Sequence, residues 1–448
     1  MTTRPNIIRF LTTVLTFALV AQVAFAQEPA DDEKQKLTDK GRVPKEILTL
    51  RKKLLLDMEN IELHRVYHRA MRKHKMLKPL QKECTDSYNA APEKPLAVYI
   101  YSRIQDDIGK RKELLSKYIA MEPKKPWAYV DLGEIAVGSK NLDEAAKYFA
   151  KAEQLADKKV GVFCEIAYEY QRGNFLERAI EFYEKAITLE AGHRESLEKL
   201  TSVCIKAGQN EKTVKYGDML IRLEVKNGWY WNMYGIGLMN TGKNDQARTV
   251  FLKALELKPK YGPAAYNLGV TYFNEGNFKT ALDWFRKSTE WDPHYYYGWT
   301  KGGHILYKRL EDWKGAVEHC VAALKYFPTD QWFYNIIAAS LLNLKRESEA
   351  NIYQVLGGIV RPSAMQGIQD GLGGLFDEGP PASDLDQKTF EGVELLPTEH
   401  LKVLVKVMPA IMKHVEHKAK MHARARSLKE AIDKAYDKRP KAPGKSSR

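Results

Sequence analysis

The chain has 448 residues, of which 44% are hydrophobic and 29% are charged, the composition of an ordinary folded domain. Its four cysteines lie far apart and form no CxxC motif, which excludes a disulfide framework. The net charge of +14 comes from the two ends of the chain. Residues 41–82 hold 12 Lys/Arg against 4 Asp/Glu, and residues 397–448 hold 14 against 5. This distribution disfavours a nucleic-acid binder, which would carry a basic face along its body.

Residues 1–26 are typical of a secretory signal peptide. Arg4 and Arg9 supply the positive start, an apolar run follows, and Ala24 and Ala26 form a small-x-small cleavage site. We expect cleavage after Ala26 and an exported protein, periplasmic or secreted, with an uncleaved anchor as the alternative. Residues 27–43 are polar with almost nothing to bury, which predicts a disordered linker.

A helical pattern begins near Pro44 and continues to residue 125. Apolar residues recur mostly at spacings of three and four, and prolines at 92 and 123 interrupt them. We interpret residues 44–125 as two degenerate helix pairs. Terminal units of a repeat array are atypical because one of their faces meets solvent.

The clearest pattern is a period of 34 residues between Gly228 and Tyr295. Small and aromatic residues of the first unit have counterparts 34 positions on: Trp231/Ala265, Tyr234/Leu268, Gly235/Gly269, Leu238/Tyr272, Ala247/Ala281, Phe251/Phe285, Ala254/Ser288 and Pro259/Pro293. Such a period is typical of a solenoid of helix-turn-helix units.

The pattern extends over residues 126–364 as seven units. The third unit is worn, because Thr213 and Gly217 stand at its small and aromatic positions, and the sixth is one residue longer, which we expect to change the local superhelical pitch. Gly-Asn turn signals separate the helices of several units, and such residues end helices by taking the left-handed conformation.

These residues resemble the tetratricopeptide repeat family: an aromatic, then Leu-Gly and Tyr in the first helix, Ala-x3-Phe in the second, and a closing Pro. The resemblance covers residues 126–364, and residues 44–125 more loosely. It implies an all-α fold, a right-handed superhelical solenoid of antiparallel helix pairs, here with a C-terminal helical extension. It also implies that the first helix of each unit lines a concave groove.

From the fourth unit onward this predicted groove is aromatic and rich in Asn. Its candidate peptide-binding residues are Trp229, Asn232, Asn240, Tyr266, Phe273, Asn274, Tyr297, His304, Tyr307, Trp332, Asn335 and Asn343. Asn pairs with any peptide backbone, and aromatic walls bury area at low entropic cost. Lys and Arg are sparse among these positions. The alternative for each aromatic is that it packs between units.

The last part of the chain changes character. Residues 365–398 are rich in Gly and Pro and predict a loop segment. Residues 399–438 predict helices, with Pro409 as a kink and Ser427 as the cap of a further helix. Residues 439–448 predict a basic disordered tail. The helices either cap the array or dock a partner.

No motif with a catalytic mechanism is present, so the sequence predicts no enzyme and no cofactor. His64 and His68 are four apart on a predicted helix and could share a metal ion, but no third ligand stands at a suitable spacing. We therefore predict no metal.

The leading hypothesis is an exported scaffold or adaptor that binds a protein or peptide in its groove. The alternative is a structural protein held to anionic membrane or cell-wall polymer through weak contacts of its basic ends. Nucleic acid is not an expected partner, and the oligomeric state stays open.

Overall fold

The computed structural model describes residues 43–360, 393–416 and 419–439. The predicted signal peptide, nearly all of the predicted linker, most of the loop segment and the basic tail from residue 440 lie outside this part. The chain divides into two compact units between Gln209 and Asn210, which is inside the worn third repeat. We call them unit 1 and unit 2 and describe each by itself.

The described part of unit 1 consists of helices joined by short turns. In chain order these are α1 Lys45–Leu56, α2 Ile61–Lys73, α3 Leu77–Ala90, α4 Pro95–Ser102, α5 Ile108–Met121, α6 Trp127–Gly138, α7 Leu142–Leu155, α8 Val160–Arg172, α9 Leu176–Leu189 and α10 Arg194–Lys206. The pairs α6/α7 and α8/α9 are the first two repeats, and α10 is the first helix of the third.

Five helices precede the first clear repeat, where the sequence pattern indicates two pairs. One helix is therefore additional, and the breaks on either side of α2 follow from local chemistry. The Asn60 side chain accepts a hydrogen bond of 3.0 Å from the Leu63 backbone N–H and so starts α2. Lys75 has a φ of 58°, in the left-handed region, between α2 and α3. Neither residue is Gly or Pro, so the pattern alone did not place these breaks.

Unit 2 holds the remaining repeats and the C-terminal helices. Its helices are α11 Asn210–Leu223, α12 Gly228–Asn240, α13 Asn244–Leu257, α14 Gly262–Asn274, α15 Phe278–Trp291, α16 Tyr296–His304, α17 Trp313–Ala323, α18 Gln331–Asn343, α19 Glu347–Val360, α20 Thr398–His414 and α21 Ala419–Asp437. Repeats four to seven are α12/α13, α14/α15, α16/α17 and α18/α19.

Within each unit, successive helix pairs pack on one another, and the described residues form no strand. This is the arrangement of an all-α solenoid. The repeated glycine has a direct steric reason. A Cβ added at Gly235 would lie 2.5 Å from the Phe251 ring, and one added at Gly269 would lie 2.7 Å from the Phe285 ring. The small residue and the aromatic therefore fit into each other, as their spacing predicts.

The aromatic that opens several repeats also fixes the loop before it. Trp231 Nε1 donates to the Val225 carbonyl at 2.7 Å, and Trp299 Nε1 donates to the Pro293 carbonyl at 2.9 Å. In each case the acceptor lies six residues earlier. The ring fills space and its polar atom satisfies a loop carbonyl.

The predicted turn glycines take the expected conformation. Gly208, Gly242 and Gly276 have φ values of 68°, 78° and 79°. In the earlier Gly173-Asn174 turn it is Asn174 that has the positive φ, of 65°. These residues end the first helix of their repeats in the left-handed conformation.

The extra residue of the sixth repeat forms a π-helical turn. α16 ends at His304, and Ile305–Arg309 follow as π-helix before α17 begins at Trp313. A π turn accommodates one added residue without breaking the helix, and such turns are frequent at functional sites.

The C-terminal helices pack on the last repeats. α20 and α21 contact each other, α19 contacts both, and buried apolar residues such as Leu404, Met408 and Leu428 join the core of the last repeats. α20 continues through Pro409. The prediction of a helix start at Ser427 is wrong, because α21 begins at Ala419 and Ser427 lies in its interior.

The part of the chain that the structure describes was searched for membrane spans. None of its helices is both long enough and apolar enough to cross a bilayer.

Candidate protein-binding face

The candidate residues of the predicted groove all belong to the first helices of repeats four to seven, or to the π turn. We call this set of helix surfaces in unit 2 the A-face. The structure leaves Trp229, Asn240, Asn274, Tyr297 and Asn343 exposed, and leaves Tyr266, Phe273, His304, Tyr307, Trp332 and Asn335 half-buried. Asn232 alone of the twelve is buried, with 4% of its surface exposed.

The asparagines do not form one ladder for a peptide backbone. Asn232 Oδ1 accepts a hydrogen bond of 2.9 Å from Asn267 Nδ2, and both residues are buried. Asn335 Oδ1 would lie 3.1 Å from a Cβ added at Gly357, so this side chain faces α19. Asn343 Nδ2 donates to the Ala339 carbonyl at 2.9 Å. Asn240 and Asn274 remain as exposed amides.

Three tyrosines come together where α14 meets α16, and we call them the tyrosine patch. The Tyr266 ring lies 5.4 Å from the Tyr295 ring and 6.0 Å from the Tyr297 ring, and the rings of Tyr295 and Tyr297 are 6.0 Å apart. Tyr297 is 49% exposed although it is a large aromatic residue. Burial, followed by the neighbouring tyrosines, raises the pKa of Tyr295, so its hydroxyl is uncharged at neutral pH.

The aromatic contacts continue from the patch into repeat seven. Tyr296 contacts the Tyr297 ring at 5.8 Å and the Phe333 ring at 6.0 Å, and Phe333 contacts Trp332 at 5.2 Å. Trp332 lies over Gly303, because a Cβ there would be 3.1 Å from the indole. The exposed and half-buried rings of repeats five to seven, which we call the aromatic surface, are thus linked through the buried Phe333.

Cations border this surface on the side of the π turn. Lys301 Nζ lies 6.0 Å from the Phe273 ring, Lys308 Nζ lies 5.4 Å from the Tyr307 ring, and Arg309 lies 5.3 Å from the Phe278 ring. We call Lys301, Lys308 and Arg309 the basic edge. These three cations are not among the twelve candidate positions, which hold no Lys or Arg.

His304 lies between the aromatic surface and the basic edge. Tyr297, Lys301 and His304 follow one another at spacings of four and three along α16, so they share one side of the helix. Burial, and then the charges of Lys301, Arg309 and Lys308, lower the pKa of His304. The imidazole is therefore neutral at pH 7 and sits in a positive potential.

Sequence reasoning missed five residues of this surface: Tyr295, Tyr296, Lys301, Lys308 and Arg309. The run of three consecutive tyrosines at positions 295–297 was a visible signal for the first two. Lys308 and Arg309 lie in the π turn, which has no simple sequence signature beyond the extra residue.

In unit 1 the corresponding surface is not open. Arg69, from α2, lies 5.4 Å over the ring of Tyr168, a residue of the first helix of repeat two. Glu62, also from α2, comes within 3.0 Å of a Cβ built on Gly161 at the start of that helix. The chain's own helix α2 occupies this place.

The two histidines considered as metal ligands have other roles. His64 Nε2 lies 2.8 Å from the Met58 carbonyl, and His68 Nε2 lies 3.6 Å from Cys84 Sγ, with both rings buried. Within residues 43–360, 393–416 and 419–439, no group of three or more His, Cys, Asp or Glu is placed to hold a metal ion.

The chain is similar in sequence to known repeat proteins. Tetratricopeptide repeat family models match residues 128–159, 160–193 and 234–295. The mitochondrial import receptor subunit TOM70 of Rattus norvegicus is 35% identical over 121 residues, which is 25% of this chain and 19% of the receptor. The peroxisomal targeting signal receptor of Candida albicans is 33% identical over 73 residues, 16% of this chain and 12% of that receptor. The chain thus spans less than a fifth of either receptor.

Among solved structures, similarity extends to YrrB, described as a TPR protein with an unusual peptide-binding site. It is 22% identical, with a TM-score of 0.34, and the match covers 42% of this chain and 96% of YrrB. The matched models, the 34-residue period and the stacked helix pairs agree, and we conclude that this chain is a tetratricopeptide repeat protein.

Proposed function

We propose that this protein is an exported scaffold that binds a segment of another protein on the A-face of repeats five to seven. The observation that carries the proposal is Tyr297, which is 49% exposed while its ring contacts Tyr266, Tyr295 and Tyr296. A cluster of aromatic side chains that stays exposed to solvent often marks a protein interaction site.

The aromatic surface suits an apolar anchor of the partner. Tyr266, Tyr297 and Trp332 are held by neighbouring rings, so their conformations are fixed before a ligand arrives. Fixed aromatic side chains lose little entropy on binding and are frequent hot spots, each worth about 2 kcal/mol or more when central. The anchor would lie against Tyr297, the most exposed of them.

The basic edge suits acidic residues on the same segment. Lys301 shares one side of α16 with Tyr297, and Lys308 and Arg309 follow in the π turn. His304 is neutral, so it does not offset their positive charge. Such charge complementarity raises the association rate and fixes the orientation of a partner more than it raises the affinity. The preferred segment therefore combines an apolar residue with acidic residues close to it.

The comparisons support the general class of function. Tetratricopeptide repeat proteins are generally protein–protein interaction scaffolds and typically not enzymes. The import and targeting receptors are receptors by their own names, and they cover only part of this chain. Binding of a protein segment by this chain is the proposal that follows.

The test is capture by the full chain followed by mass spectrometry of the bound segment. Wild type is compared with Tyr297→Ala and with Tyr326→Ala, because Tyr326 is an exposed tyrosine of unit 2 whose ring contacts are to His294 and Trp299, outside the tyrosine patch. We expect one segment to be lost with Tyr297→Ala and retained with Tyr326→Ala. Equal capture by all three proteins would reject the A-face as the site.

Export is proposed from the leader, which lies outside the described residues. N-terminal sequencing of the native protein should begin at Gln27. A native protein that begins at Met1 would contradict cleavage. Attachment through the basic ends stays a sequence prediction.

A further inference from the structure

Arg65 of α2 is a fully buried cation, with 1% of its surface exposed. It lies between the first helices of repeats one and two, α6 and α8. Burying a charge is costly unless partners replace its water completely. The groups around Arg65 must therefore replace the water that its guanidinium group loses on burial.

Two carboxylates and one phenol hold the planar group. Arg65 Nη1 donates to Asp131 Oδ1 and to the Tyr99 hydroxyl, both at 2.6 Å. On its other side Arg65 Nη2 donates to Glu165 Oε2 at 2.9 Å, and Nε donates to the same oxygen at 3.2 Å. All three N–H-bearing nitrogens are used, which an ammonium group could not reproduce.

An aromatic ring covers the flat side of the group. The guanidinium carbon of Arg65 lies 5.2 Å from the centre of the Trp127 ring. Stacking of this kind is specific for a delocalised, weakly hydrated cation. Carboxylates at the edge and an indole on the face together form a recognition site for arginine.

The carboxylates occupy one repeated position in the first helices. Asp131 and Glu165 are one 34-residue period apart, and Met233, Asn267 and Lys301 lie two, three and four periods after Glu165. Met233 and Asn267 are buried and Lys301 is exposed, so this position is buried in some repeats and exposed in others. In unit 1, α2 covers it.

The site has capacity beyond Arg65. Glu165 Oε1 also accepts from Arg69, and Asp131 Oδ1 also accepts from Arg103. Asp131 Oδ2 is buried and has no hydrogen-bond partner among the described residues. Burial opposes ionisation of Asp131, but Arg103 and Arg65 lower its pKa, and Arg65 and Arg69 likewise lower that of Glu165 against the effect of burial. Both acids are therefore charged, and the three arginines offset their charge.

We propose that the first helices of repeats one and two form an arginine-recognition site and that α2 is its resident ligand. α2 is held as a bound segment is held, through Arg65 as the deep anchor and Arg69 at the rim. Unit 1 is thereby closed to other arginine-bearing segments as long as Arg65 stays in place. The proposal is independent of the binding proposed for unit 2.

The experiment removes the anchor from the full chain and supplies its head group in solution. Arg65→Ala should lower the melting temperature of unit 1 by about 10 °C, since two buried carboxylates each lose one cationic partner, Asp131 keeping Arg103 and Glu165 keeping Arg69. Methylguanidinium at millimolar concentration should restore at least half of that loss in a saturable manner. Methylammonium at the same concentrations should restore little. Arg69→Ala, at the rim, should lower the melting temperature less, and methylguanidinium should not restore it.

Two results would overturn the proposal. The first is a loss of melting temperature in Arg65→Ala that neither methylguanidinium nor methylammonium restores. Arg65 would then be a packing residue of the core. The other comes from Arg65→Lys, which keeps the charge and folds if the alanine variant does not. A melting temperature of Arg65→Lys equal to wild type would show that the guanidinium fork is not recognised.

Discussion

Asn267 Nδ2 donates a hydrogen bond of 2.9 Å to Asn232 Oδ1, and the two buried amides join the first helices of repeats four and five. The pair is buried where repeat four packs on repeat five. Asn232 therefore supports the stacking of two repeats and is not available to the backbone of a bound peptide. It is left out of the site proposed above.

The amide pair predicts a stability effect. Asn232→Ala leaves the Asn267 amide buried without its partner, so the free energy of unfolding should fall by about 1–3 kcal/mol. Asn240→Ala, on the exposed end of the same helix, should change it by less than about 0.5 kcal/mol. Urea unfolding followed by circular dichroism measures both. Equal effects would mean that the pair is not a structural contact.

The contact of Gly133 with Phe149 predicts the cost of a single methyl group. A Cβ at Gly133 would lie 2.2 Å from the Phe149 ring, so Gly133→Ala should destabilise unit 1 by about 1–3 kcal/mol. Gly138 is in the same helix, α6, and a Cβ there meets nothing within 4 Å. Gly138→Ala should be neutral or stabilise by up to about 1 kcal/mol. A destabilising Gly138→Ala would argue against this steric account.

His319 predicts acid sensitivity of unit 2. Burial lowers its pKa to about 4, although its hydrogen bond of 2.9 Å to the Trp299 carbonyl acts in the opposite direction. The neutral form is favoured in the folded state, so the stabilisation is complete above pH 6.5 and is lost as the pH falls towards 4. The full effect is on the order of 3 kcal/mol.

The check is to compare thermal unfolding of wild type and His319→Gln between pH 8 and pH 4. Wild type should lose more stability over that range than the variant. The variant should still lose some stability as the pH falls, because burial also lowers the pKa of His400 to about 4. Parallel curves for the two proteins would contradict the assignment.

The sequence allowed the repeat architecture to be predicted because its determinants are local and periodic. Gly235 and Phe251 are 16 residues apart and recur one period later, so the pattern itself carries the contact. The breaks at Asn60 and Lys75 were missed because they depend on one cap and one backbone angle. Periodicity records which positions are small or apolar, and it does not record how a turn closes.

The functional surface was predicted less completely, for a different reason. Asn232 and Asn240 have the same chemistry in the sequence, and only the packing of α12 against α14 distinguishes the buried amide from the exposed one. Arg65 and Glu165 are 100 residues apart, and no local pattern links a basic helix to the acids it will meet. Pairings across that distance are decided by the tertiary fold.

The central claim is that a partner segment binds against Tyr297. The most direct measurement is a calorimetric titration of the captured segment into wild type, Tyr297→Ala and Tyr326→Ala. We predict that Tyr297→Ala weakens binding by about 30-fold, the equivalent of about 2 kcal/mol, and that Tyr326→Ala stays within about twofold of wild type. A dissociation constant for Tyr297→Ala equal to that of wild type, with the fold intact, would contradict the account.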